Sequence, residues 1–182
     1  MALKSTIFKA ELQIADMDRN YYHEHTLTLA RHPSETDERL MVLLLAFALN
    51  AGESLSFGRG LSAEDEPDLC QKDLTGAIEL WIDVGLPDER EIRKACGRAR
   101  QVKVYSYGGR AAALWLEQSR DKLERASNLE VIDVPAEASQ AMAALAQRNM
   151  RLQCTVQDGL VWLDNGQAPP GSGRCRAGTE CR

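Results

Sequence analysis

The chain contains no apolar run near the roughly 18 residues needed to cross a bilayer, and its opening "MALKSTIFKAEL" lacks the continuous apolar segment of a secretory signal. A cytoplasmic protein with no membrane role is expected. Its five cysteines (Cys70, Cys96, Cys154, Cys175 and Cys181) are odd in number, widely spread and include no CxxC pair. That pattern argues against both a disulfide framework and a zinc site, and makes reduced thiols incidental to function the simpler expectation. Positive charge is not in excess: 22 Lys and Arg stand against 27 Asp and Glu, for a net charge of -5. Bulk electrostatic coating of nucleic acid is therefore excluded, while a local basic surface remains open. There is no G-x-S-x-G, no P-loop and no G-x-G-x-x-G behind a strand, so acyl transfer and dinucleotide chemistry drop away. No internal repeat is visible.

What is present suits one globular domain, since 182 residues with 44% hydrophobic content build a real core. "FKAELQIAD" and "HEHTLTLAR" alternate on either side of the polar turn "DMDRN" and predict two antiparallel strands. After Pro33, the segment "ETDERLMVLLLAFALNAG" predicts a helix with a Ser34/Asp37 capping box and Gly52 as terminator. Its apolar run from Leu40 to Leu49 predicts burial on most sides. A short strand in "ESLSFGRG" and the acidic connector "SAEDEPDLCQKD" come next. Strands and helices then alternate: "IELWIDVG", a helix from near Pro87, "QVKVYSY", "GRAAALWLEQSRDKLERA", "LEVIDV" and "AEASQAMAALAQR". "MRLQCTVQDGLVWLD" closes the fold as a hairpin turning at Asp158-Gly159. The predicted class is α/β, a mixed central sheet flanked by helices with an antiparallel edge, over residues 1–165. Residues 166–182, rich in Gly, Pro and Arg, read as a disordered tail.

"IELWIDVG" poses the chemical question. Alternation puts Glu79, Trp81 and Asp83 on one face of a strand, and an unpaired buried carboxylate costs several kcal/mol, roughly. The two acids lie about 13 Å apart along the strand, too far for one small ion to hold both. Asp83, followed by Gly85 and Pro87 at the carboxyl end, is the better ligand candidate, because open α/β sheets bind ligands at that edge. Glu79 reads as structural. The connector carries Glu64, Asp65, Glu66 and Asp68 around Pro67, either a solvated loop or part of a Mg²⁺ or Mn²⁺ site built from carboxylate oxygens. Asp68 and Asp83 meet if the connector leads into a strand beside the one bearing Asp83. Glu35 and Arg39 form an i,i+4 pair at the head of the first helix, and Glu38 shares a face with Met41, Val42 and Leu45, so it wants a partner inside.

Residues 90–110 hold Arg90, Arg93, Lys94, Arg98, Arg100, Lys103 and Arg110 against one acid, Glu91. They are either a solvated helix face or a phosphate-contacting surface. The helix N-terminus after "YGG" is a place where backbone N–H groups can hold an anion, but Gly-Gly before a helix is equally ordinary turn chemistry. His23 and His25 share a strand face at a spacing that suits metal, with His32 as a third candidate, but no further ligand completes the set.

The strings "LTLARHPSETDERLMVLLLAFAL", "RGLSAEDEPDL", "IELWIDVGLPDEREIRKA" and "MRLQCTVQDGLVWL" resemble the YaeQ family of bacterial proteins over about residues 1–165. The resemblance implies a restriction-endonuclease-like fold, that of the PD-(D/E)xK nucleases, with a modified site and a Mg²⁺-type metal. On that pattern the helical acid falls at Glu38 or Glu35, the Pro-Asp at Pro67-Asp68 and the strand acid at Asp83. The lysine departs from it: Gly85 stands two residues past Asp83 and Trp81 two past Glu79. Lys94 and Lys103 are the substitutes at hand. The expected activity is a metal-dependent nuclease in which Asp68, Asp83 and Glu38 hold Mg²⁺ or Mn²⁺, Lys94 assists, and Arg90, Arg93, Lys103 and Arg110 contact phosphates. The alternative is a catalytically silent nucleic-acid- or protein-binding module of the same fold.

Overall fold

The structure, a computed structural model, describes residues 4–59 and 65–167 and the backbone of 174–176. The expected tail falls mostly outside the described residues, as does Glu64 of the connector. Two mixed five-stranded sheets replace the single central sheet expected from the sequence. β1 (Thr6–Asp16) and β2 (Tyr21–Arg31) form the opening antiparallel hairpin. Instead of joining the strand that bears Asp83, β1 pairs in parallel with β8 (Asn149–Gln157), which continues through β9 (Leu160–Asp164) to the three-residue β10 (Arg174–Arg176). The first sheet therefore runs β10-β9-β8-β1-β2. The second runs β3-β4-β5-β6-β7, from β3 (Leu55–Phe57), β4 (Leu69–Lys72) and β5 (Ile78–Val84) to β6 (Ala99–Ser106) and β7 (Leu129–Asp133). Its first three strands are antiparallel and its last three parallel.

Helix α1 (Asp37–Asn50) explains why there are two sheets. Leu40 to Val42 and Leu44 to Ala48 are all buried, so this helix has apolar side chains nearly all round and must be covered on more than one side. Leu12 and Leu152 from the first sheet and Ile82 and Tyr105 from the second belong with Leu44 to one core. The helix starts two residues later than the Ser34 expectation, capped by Thr36, whose Oγ1 accepts the Arg39 N–H at 3.1 Å. Ser34 is engaged elsewhere, its hydroxyl 2.6 Å from His32 Nδ1. Gly52 does not end the helix through a left-handed turn. Arg19 does the work instead, its guanidinium donating to the carbonyls of Ala48 and Ala51 at 3.1 Å each while bonding Asp16.

The other helices follow their sequence signals closely. α2 (Glu89–Arg98) opens with an Asp88/Glu91 capping box, α3 (Arg110–Leu123) starts behind Gly108 and Gly109, both at positive φ, and α4 (Ala136–Ala143) packs on α1. The β8–β9 hairpin turns at Asp158 (φ 53°) and Gly159 (φ 72°), the left-handed pair that a two-residue turn requires. No helix among the described residues is long and apolar enough to cross a membrane.

Candidate functional site

The acidic connector does lead into a strand beside β5. β4 pairs antiparallel with β5 in a register that sets Leu69 against Ile82, so Asp68, immediately before β4, stands across from Asp83, the penultimate residue of β5. Close approach of the connector is enforced at Gly58, whose N–H donates to Asp68 O at 2.9 Å. A Cβ there would lie 1.9 Å from Pro67 O.

Each carboxylate is held differently. Asp68 Oδ2 accepts the Val84 N–H at 2.8 Å, and its Oδ1 accepts from Arg39 Nη2 at 2.7 Å. Arg39 reaches back to Glu35 Oε1 at 2.5 Å, so one guanidinium bridges two acids whose side chains are 13% and 8% exposed. Burial disfavours the Arg39 charge, but Asp68 and Glu35 outweigh it and hold the group above its ordinary value. Asp83 has no cationic partner among the described residues. Its Oδ2 accepts from the Trp81 indole N–H at 2.9 Å, and Trp81 itself is buried with Ala95 of α2. Burial is the main reason this carboxyl titrates at about 6 rather than 3.8; the indole hydrogen bond opposes the shift, and the Asp68 carboxylate adds to it. Tyr107, half-buried after β6, closes the group. Burial pushes its phenol up, Arg39 draws it down, and both Glu38 and Asp68 lie near enough to raise it.

The remaining sequence candidates are more dispersed. Glu38 turns toward α4, where Ser139 Oγ donates to its Oε1 at 2.5 Å. Glu79 pairs with Arg100 at 3.3 Å near the other end of β5. Lys103 is opposite Ile82 in register and so shares the Ile82 face rather than that of Asp83. Its ammonium donates to Asn50 Oδ1 at 3.0 Å and pairs with Glu130 at 3.4 Å. Lys94 pairs with Asp65 and thereby ties α2 to the connector. Arg93 pairs with Glu89 at 3.2 Å, while Arg90 and Arg110 are exposed and without an ion pair among the described residues. The Asp68 partnership of Arg39, 29 residues away, and the indole bond to Asp83 escaped sequence reasoning. Trp81 and Asp83 at i,i+2 on one strand face were a readable signal for the second.

Could this set hold a hard divalent cation? Mg²⁺ takes oxygen ligands, is commonly held by one or two protein carboxylates, and keeps several waters. The Asp68–Asp83 pair fits that donor chemistry. Among the described residues no three His, Cys, Asp or Glu side chains form a cage, and Glu38 Oε1 is engaged by Ser139. Arg39 shares its single charge between Glu35 and Asp68, and the Asp83 carboxyl beside Asp68 has no cation of its own among the described residues, an imbalance that a bound cation would correct. An ion on Asp68 Oδ1 would compete with Arg39.

Comparison with known proteins places the chain. The family model described as YaeQ protein matches residues 1–169. The chain is 48% identical over 165 residues to "Uncharacterized protein YaeQ" of Escherichia coli (strain K12), covering 91% of each, and 47% identical over 167 residues to the Salmonella typhi protein of the same description, covering 92% of each. Its fold is similar to the crystal structure of the YaeQ protein from Xanthomonas axonopodis pv. citri, with a TM-score of 0.88 and 52% identity over 94% of this chain and 96% of that one. The Pseudomonas syringae YaeQ structure gives a TM-score of 0.85 at 32% identity over 94% and 93%. With two sheets around one buried helix matched in solved relatives and nearly the whole sequence matched in bacterial ones, the chain belongs to the YaeQ family.

Proposed function

We propose that this chain acts on nucleic-acid phosphodiesters as a Mg²⁺- or Mn²⁺-dependent hydrolase of the PD-(D/E)xK type, with Asp68 and Asp83 as the carboxylates that hold the cation. The supporting observation is the state of Asp83: a half-buried carboxyl, raised to about 6, beside Asp68 and without a cationic partner among the described residues. It stands at the carboxyl edge of a strand whose neighbours on one side are parallel, the edge where α/β sheets take ligands. A bound cation would supply charge to the phosphoryl oxygens and lower the pKa of a bound water.

The protein's own groups have separate tasks. Trp81 and the Val84 N–H aim the two carboxylates. Arg39 and Tyr107 stand beside them as donors for phosphate oxygens, and exposed Arg90, Arg93 and Arg110 on α2 and α3 are further cations available to a nucleic-acid backbone. Lys94 holds the connector that carries Asp68. Neither it nor Lys103 stands where a D/E-x-K lysine would, so orientation of the attacking water falls to the carboxylates.

One observation favours a second reading, a catalytically silent nucleic-acid- or protein-binding module: the Arg39 guanidinium already supplies positive charge to Asp68. Thermal unfolding under Mg²⁺ or Mn²⁺ titration separates the two. The hydrolase reading expects the melting point to climb with cation concentration in the wild type and not in Asp83→Asn. It also expects Mn²⁺-dependent cleavage of labelled nucleic acids that Asp83→Asn abolishes. No cation response at all leaves the binding module, and equal cleavage by the variant marks a contaminant.

A further inference from the structure

The two sheets present their open edges to each other. β2 is the last strand of one sheet and β3 the first of the other, and between them, over α1, lies a cavity of about 510 Å³. Its walls are unusually rich in rings for a chain with 5% aromatic residues. Tyr21 lies 4.6 Å from His23 between ring centroids, His25 meets Phe47 edge-on at 5.2 Å, and Phe47 stacks on Phe57 at 5.2 Å and 11°. The Tyr21 hydroxyl and His25 Nε2 stand 2.8 Å apart, which fixes both rings. Burial and the neighbouring His23 lower the His25 pKa, so the His25 imidazole is a neutral flat surface at physiological pH. One end of the ladder is at the candidate site, because Phe57 is followed by Gly58, which bonds to Asp68.

From this we infer that the cleft stacks the unpaired bases of a single-stranded nucleic acid whose backbone passes Asp68 and Asp83. The inference rests on the phosphodiesterase reading and narrows its substrate. A cavity of this size accepts a planar heterocycle. Aromatic platforms bind bases through their π faces with little regard to sequence, and rings held by the Tyr21–His25 hydrogen bond and the Phe47–Phe57 stack lower the ordering cost of such platforms. In a duplex those faces are covered by neighbouring base pairs, so a double strand gains nothing from the ladder. Exposed His23 and half-buried Tyr21, His25 and Phe57 are the rings open to a ligand, while Phe47 is 3% exposed and acts as backing.

Fluorescence anisotropy of the full chain in EDTA tests this, with a short labelled single-stranded oligonucleotide and the same strand annealed to its complement. Single strand is expected to bind more tightly than duplex. His23→Ala and Phe57→Leu are expected to weaken single-strand binding about tenfold, within the range for losing one base–aromatic stack, without changing the duplex. His23→Ala removes an exposed ring and keeps the fold. Wild-type single-strand affinity in both variants, duplex binding equal to or stronger than single strand, or no single-strand binding at all would each overturn the inference. The phosphodiesterase reading is scored apart from it by the Asp83-dependent response to Mn²⁺, which both ring variants are expected to retain.

Discussion

Asp83→Asn removes a charge while keeping shape and the indole hydrogen bond, and its effect on stability has a definite sign. The folded carboxyl titrates at about 6 against an ordinary 3.8, so the native state binds more protons than the unfolded chain between those values. Stability supplied by the protonated acid is therefore full below pH 4 and lost as pH rises through 6. In EDTA, Asp83→Asn should melt higher than wild type at pH 7, with the gap closing toward pH 4; melting curves across that window check it. Arg39 acts in the opposite sense. Truncating it in Arg39→Ala leaves Glu35 and Asp68 buried without their shared cation, a loss of about 3–5 kcal/mol for a buried pair, read from denaturant midpoints. Arg39→Lys should recover only part of that, since an ammonium lacks the two-sided fork that reaches both acids.

At the level of elements, the ends of α1 show which signals are local. The start of α2 near Pro87 and the Asp158-Gly159 turn were readable because all the atoms involved lie within four residues. α1 does end just before Gly52, but without the expected glycine turn, because its last carbonyls are held by Arg19, reached from the β1–β2 turn. Its start was misread because two hydroxyl residues two positions apart, Ser34 and Thr36, compete for the role and His32 engages Ser34. Arg19→Ala should destabilise by about 1–3 kcal/mol, since buried Asp16 and two helix carbonyls lose a donor, with faster amide exchange in the last turn of α1. The candidate site was legible to the same degree. Asp68 and Asp83 were marked by the connector's proximity to β5, whereas the Arg39 bridge depends on tertiary packing. Gly58→Ala should displace Pro67 and Asp68 together, because the new methyl meets a backbone carbonyl; the expected result is a lower melting point and a loss of the cation-induced shift.

Across the whole molecule, the alternation of strand and helix from β5 to α4 was visible as a period change along the chain, and it produced the parallel half of the second sheet. The division into two sheets was not visible. It depends on β1 choosing β8 as a neighbour, and nothing in either strand's own pattern names that partner. The same α1 residues that read as a buried helix are what the two sheets enclose.

That choice of neighbour also orders events in time. Gln13 and Gln153 touch across the β1–β8 pair although 140 residues separate them. During synthesis the β1–β2 hairpin emerges well before β8, and its inner edge stays unclaimed until β8 has left the ribosome. Contacts spanning so much sequence make for slow closure, and a strand edge exposed meanwhile invites pairing with another chain. Chains halted before β8 should accordingly aggregate rather than fold, and the yield of native monomer on refolding the full chain should fall as protein concentration rises.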